Sequence, residues 1–179
     1  MKRLLATLLP VLALLAGSSC TLSKIPEVRT MPAAQTLDTE PVRARNLSAV
    51  QEYFRFQGEK DLDGWIALWA EDGVFVIAYP PAGFPARIEG RAAIGPLYRQ
   101  LFEGYAEVRF RDLEIRPLLD PDRFVATWIT DLDLVAGGTY VNTLLGLFTF
   151  RDGKLSRYDE YFDPRPFEKA QAAVHQDGR

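Results

Sequence analysis

The chain has 179 residues and a formal net charge of −3, the size of one domain able to bury a real core. Its mixed Lys, Arg, Asp and Glu form no basic stripe, so the electrostatic footprint of nucleic-acid binding is missing and no nucleic-acid partner is expected. Aromatic residues make up 12% of the chain, enough large rings to line a roomy interior, with a solid aromatic core as the alternative.

The N-terminus runs from basic Lys2-Arg3 through an apolar stretch, Leu4 to Ala16, to the small residues Gly17-Ser18-Ser19 before Cys20. This is the pattern of an export signal, and the apolar stretch is too short to span a bilayer comfortably. Its end resembles the lipobox of bacterial lipoproteins, in which the cysteine is lipidated and becomes the new N-terminus. Gly17 stands where that motif usually has Leu, so simple cleavage, or an incidental thiol, is the alternative. Residues 1–20 are expected to place the domain in the periplasm or on the extracellular face of the cell envelope, with a lipid on Cys20 holding it to the membrane. Cys20 is the only cysteine, so no intrachain disulfide can form and stability must come from packing. Residues 21–45 carry Pro26, Pro32 and Pro41 without apolar periodicity and read as a flexible linker.

Ser48 and Gln51 make a capping box for a helix running to about Glu59, with Leu47, Val50 and Phe54 on one face. Asp61 caps a shorter helix on which Trp65, Leu68 and Trp69 share a face, closed by Glu71-Asp72-Gly73 before a strand from Val74 to Ala78. Tyr79-Pro80-Pro81-Ala82-Gly83-Phe84-Pro85 is too rich in Pro to continue that strand and reads as a loop roofing a pocket. Ile94, Leu97, Tyr98, Leu101 and Phe102 mark a third helix. Strands follow over Glu107 to Ile115, Phe124 to Val135, Thr139 to Phe150 and Lys154 to Phe162, separated by short turns that imply antiparallel pairing. The class is α+β: a cone-shaped, strongly curved mixed or antiparallel sheet wrapped over three N-terminal helices and enclosing a pocket. The domain is expected over residues 46–167, with 168–179 as a polar tail.

This order of elements resembles the nuclear transport factor 2-like superfamily. The phrases that carry the likeness are Leu62-Asp63-Gly64-Trp65-Ile66-Ala67-Leu68-Trp69-Ala70-Glu71-Asp72, Ile88-Glu89-Gly90-Arg91-Ala92-Ala93-Ile94, and Arg151-Asp152-Gly153-Lys154-Leu155 running into Glu160-Tyr161-Phe162-Asp163-Pro164. Within the superfamily the chain is most similar to the SnoaL-like group, whose relatives include polyketide cyclases, ketosteroid isomerases, limonene epoxide hydrolases and phenazine proteins. The scaffold hosts enzymes and non-enzymes alike. The resemblance implies that Tyr53 matches the substrate-polarising tyrosine of the ketosteroid isomerases, while their two aspartates would fall at Ile77 and Gly146. The tyrosine and asparagine of the epoxide hydrolases would fall at Phe75 and Ile77, and their Arg and Asp partners at Thr127 and Ile129. The histidine of the phenazine proteins is missing. Their acid or base, and a catalytic aspartate of the epoxide hydrolases, are matched by Glu160.

By strand alternation Tyr158, Glu160 and Phe162 share a face, which sets a carboxylate between rings where its pKa should rise toward neutrality. The alternative is an ordinary surface charge, or one paired with Arg157. Tyr53 is its candidate helper as a donor. Asp131 is a further catalytic candidate; with Asp133 it forms a same-face pair that otherwise simply flanks the Ala136-Gly137-Gly138 turn. Trp65, Trp69, Phe75, Ile77, Tyr79, Phe84, Asn142, Phe148 and Tyr158 are the candidate ligand-binding residues, each with plain core packing as its alternative. No metal site or cofactor is expected: the sole histidine, His175, lies in the polar tail, and no phosphate-binding Gly-rich loop follows a strand. The expected function is binding of a small apolar molecule, with isomerase, cyclase or lyase chemistry through Glu160 or, alternatively, a non-catalytic binding or assembly role. A homodimer is expected through Val141, Thr143, Leu145 and Leu147, which form an apolar outer patch.

Overall fold

A computed structural model of the chain describes residues 39–177, with side chains as far as Ala172. The export segment, Cys20 and most of the expected linker lie outside the described residues. The first helix, α1, spans Glu40–Glu59 and so begins well before Ser48. Residues 40–45 are therefore helical rather than linker. Polar contacts fix these early turns: the Arg43 guanidinium donates to the carbonyls of Leu118 at 2.6 Å and Leu119 at 3.2 Å. Buried Asn46 donates to the Asp122 carboxylate at 2.8 Å.

Asp61 caps α2 (Leu62–Ala67), its carboxylate accepting from the Gly64 N–H at 2.9 Å. The helix is a turn shorter than expected, because Trp69 already opens strand β1 (Trp69–Ile77). A short strand β2 (Arg87–Glu89), not anticipated from the sequence, returns antiparallel along β1 before α3 (Arg91–Gly104). Strands β3 (Tyr105–Pro117), β4 (Arg123–Leu134), β5 (Thr139–Arg151) and β6 (Lys154–Phe162) complete a mixed sheet in the order β2-β1-β6-β5-β4-β3, with β1 and β6 parallel. The sheet is curved and unclosed, and a bulge between Arg111 and Glu114, where Asp112 takes a left-handed φ of 52°, bends β3. The α+β class and the curved sheet over helices agree with the expectation.

Residues 168–177, expected as part of a polar tail, are helical. Pro164–Asp177 forms a helix, α4, whose Phe167 and Ala170 pack on the small cluster of Val108, Leu132 and Tyr140. The main core is a ring cluster between helices and sheet: Tyr53, Trp65, Trp69, Phe148 and Tyr158 are each at most 1% exposed. Trp65 stacks on Tyr98 with centroids 3.9 Å apart. Gly146 is required by this packing, since a Cβ there would lie 2.7 Å from the Tyr158 ring and 3.1 Å from that of Trp128. On the opposite sheet face, β5 turns Val141, Thr143, Leu145 and Leu147 outward, with Val141 44% exposed.

Candidate functional site

Between α3, the concave side of the sheet, the Pro-rich loop and α4 lies a cavity of about 100 Å³. Half of its lining side chains are aromatic, among them Phe75, Tyr98, Phe102, Phe110, Trp128 and Phe162. Among the described residues, Glu160 is the single charged one on the wall. Alternation along β6 places it there, between Tyr158 below and Phe162 above on the same face. Arg157 does not pair with it but bonds Asp159 on the outer face at 2.7 Å.

The Glu160 carboxylate accepts from the Tyr158 hydroxyl at 2.9 Å. Burial among rings pushes its pKa up from the ordinary 4.5 to about 7, and the Tyr158 hydrogen bond offsets part of that rise. The side chain keeps partial exposure only because it opens on the cavity. Near neutral pH this group exchanges a proton readily, which suits a general acid or base. The other polar wall groups are neutral: Gln57, Thr130 and the tyrosines 98, 105 and 140. The Tyr140 hydroxyl accepts from Asn142 Nδ2 at 3.0 Å, which leaves its own proton to donate. Burial raises the pKa of Tyr98, Tyr105 and Tyr140, so these hydroxyls stay protonated.

Of the residues singled out from the sequence, Glu160, Phe75, Ile77 and Phe84 line the cavity. Tyr158 reaches it only through its bond to Glu160. Tyr53 sits behind the wall, 1% exposed, with its hydroxyl 3.4 Å from that of Tyr98. It supports Tyr98, which does face the cavity. Asp131 points the other way, onto the outer face, where Arg109 donates to it at 3.0 Å and Arg111 pairs with it at 3.2 Å. It therefore does not converge on Glu160. Trp65, Trp69 and Phe148 are core rings, Asn142 braces the Asp163 carbonyl at 2.8 Å, and Tyr79 is 61% exposed against Tyr161. Thr127 and Ile129 also face outward, so the positions matched to the Arg and Asp of the epoxide hydrolases lie off the cavity, whereas Phe75 and Ile77 line it. The residues missed are chiefly on α3 and β4: Leu97, Leu101, Trp128 and Thr130. The i, i+4 spacing of Leu97 and Leu101 was the available signal. Among the described residues no group of His, Cys, Asp or Glu is arranged to hold a metal.

The profile of the SnoaL-like domain family matches residues 50–158, which take in nearly the whole sheet, the second half of α1, α2 and α3. The chain belongs to the SnoaL-like domain family. A curated relative, the uncharacterised YesE protein of Bacillus subtilis, is 28% identical over 122 residues, which cover 68% of this chain and 83% of that one. An uncharacterised PhzA/B-like protein of Pseudomonas aeruginosa is 30% identical over 105 residues, 58% of this chain and 74% of that one. Among solved structures, a Bacillus subtilis protein provisionally named an isomerase superposes with a TM-score of 0.68 at 25% identity, covering 74% of this chain and 96% of that one.

Ile77 and Gly146 stand directly opposite Glu160 on the two neighbouring strands. These are the two positions at which the resemblance places the aspartates of the ketosteroid isomerases. The resemblance implies an acid at each of these three positions, and this chain carries one, at Glu160.

Proposed function

We propose that this SnoaL-like domain binds a small, largely apolar molecule in its aromatic cavity, with Glu160 making the polar contact. The observation that carries this reading is the lone carboxyl, held by Tyr158, in a wall otherwise free of charge. Protonated, Glu160 donates to a carbonyl or hydroxyl oxygen. Ionised, it takes a proton from a carbon beside a carbonyl and returns it to another carbon, an isomerisation that needs no cofactor and changes no oxidation state. The Tyr140 hydroxyl is the available donor to the enolate oxygen in that step. Isomerase, cyclase or lyase chemistry all draw on this single acid–base group, which contributes about 10²–10⁴-fold. The lack of a second carboxyl in the cavity favours the other reading, a non-catalytic binding module.

Titration with a fluorescent neutral naphthol separates these ideas. Wild type is expected to bind it and Glu160→Gln to bind it about fivefold to tenfold more weakly, the loss of one charge-capable hydrogen bond. Equal binding by the two forms would remove Glu160 from the site, and no binding by either would remove the cavity reading altogether.

The sequence before the domain supports a location at the cell envelope with a lipid on Cys20. The mass of the mature protein from a membrane fraction checks this: a diacylglyceryl-modified Cys20 at the N-terminus is expected, and an unmodified soluble product would refute it. The outward β5 patch supports a homodimer, which sedimentation at micromolar concentration tests; a monomer there would count against it.

A further inference from the structure

A second hollow of about 370 Å³ adjoins the Glu160 cavity, walled by the C-terminal half of α3, the β4–β5 turn and α4. Six residues, Phe84, Leu97, Leu101, Tyr105, Tyr140 and Phe167, line both. They form a shared neck at which the two hollows adjoin. Phe167 from α4 meets Phe84 edge-to-face at 5.1 Å and Tyr140 at 5.7 Å across that neck. The Pro-rich loop is pinned to the same helix, the Ala82 N–H donating to Glu168 at 2.9 Å.

The two chambers differ in chemistry. The inner one is walled mainly by rings and holds Glu160. The outer one has no ring beyond the neck: its own residues include aliphatic Leu134, Val135, Ala136 and Ala170, with Gln100, Glu103 and Gln171 as its polar groups. Among the described residues no Lys or Arg lines either chamber, and each carries one Glu. The inner chamber, at about 100 Å³, is smaller than the roughly 150 Å³ known to hold a benzene ring. Ligand sites usually run from about 300 Å³ upward.

We infer that the outer chamber is a second subsite of the same binding site, and that the ligand is a neutral two-part molecule. A cyclic head bearing a hydroxyl or carbonyl reaches Glu160 with its ring seated partly in the neck, because the inner chamber alone is too small for a whole ring, and an aliphatic tail lies against α4 and the β4–β5 turn. Rings accept the head edge and face, aliphatic walls accept the tail, and Glu103 and Glu160 reject an anionic tail by charge. Ala170 and Val135 set the tail length. This inference rests on the cavity reading above.

The test is calorimetric titration of the full chain with phenol, then with 4-alkylphenols of growing chain, then with their ω-carboxylated counterparts. Affinity is expected to rise about threefold to fourfold per methylene up to about hexyl, the fold-change of about 0.8 kcal/mol per buried CH₂. The carboxylated series is expected to bind at least about tenfold more weakly at equal length. Ala170→Trp, and separately Val135→Trp at a site 65% exposed in the native fold, fill the outer chamber from opposite walls. Both should bring the hexyl-to-methyl affinity ratio close to one. A flat response to chain length in wild type overturns the inference, as does an undiminished ratio in the folded Val135→Trp variant or a carboxylated series that binds as well as the alkyl one. If phenol and every homologue fail to bind, the cavity reading itself falls and the subsite with it.

Discussion

Glu160→Gln is expected to stabilise the fold by about 2–3 kcal/mol at pH 8 and to leave it nearly unchanged at pH 4. The sign follows from proton counting. The folded carboxyl titrates at about 7 and an unfolded one near its ordinary 4.5, so between these values the native state holds more protons than the unfolded chain. Stability contributed by the neutral acid is complete below the lower value and falls as pH rises through the upper one. A gap of this size corresponds to about 3 kcal/mol at most, reduced by whatever water shares the cavity with the carboxylate. Gln cannot ionise, still accepts from Tyr158, and escapes the penalty. Urea unfolding of both proteins across this pH range measures it. A difference independent of pH, or a destabilised Gln variant at pH 8, would mean that Glu160 is not held as described. The same arithmetic explains why such a costly group points to function: an interior designed only for stability would place an amide or a leucine there.

Period-2 alternation was enough to place Glu160, because β6 runs without interruption and each side chain has one of two directions. It also paired Asp131 with Asp133 correctly but left open which face was the inner one. The deciding neighbours, Arg109 and Arg111, sit on β3 across a register that local sequence does not reveal. Helix α1 was read from Ser48 because its first turns have no apolar stripe. Their anchors are Arg43 and Asn46, which reach partners more than seventy residues away. Helix α4 escaped for a related reason: Phe167 and Ala170 are too few to make a period, and the chain there reads as polar. The aromatic residues carry no local mark of their role. Trp65, Trp69, Phe148 and Tyr158 fill the core, whereas Phe84, Tyr98 and Trp128 face the cavity, yet all are large rings at regular spacing. Only depth in the curved sheet separates them, and depth is a tertiary property.

That division predicts two very different costs for the same truncation. Phe148 is 1% exposed and lies 4.8 Å from the Tyr158 ring, 5.1 Å from that of Tyr53 and 6.1 Å from that of Phe54, centroid to centroid. Phe148→Ala leaves a void enclosed by rings that cannot all collapse into it, so a loss of about 3–5 kcal/mol is expected. Phe84 is half-buried at the neck, with Phe167 as a ring neighbour, and already borders open space. Phe84→Ala should cost about 1 kcal/mol, the order of one edge-to-face pair with some burial. Denaturant midpoints at constant slope compare the two directly, and equal costs would show that the neck is as tightly packed as the core. Function should divide the other way. Tyr158 is clasped between Phe148 and Phe75, the latter stacked at 5.3 Å. Loosening that clasp frees the hydroxyl from Glu160, so in folded Phe148→Ala the Glu160 carboxyl should titrate higher, because the bond that lowers its pKa is weakened. Phe84→Ala leaves that clasp intact and widens the passage between the chambers instead.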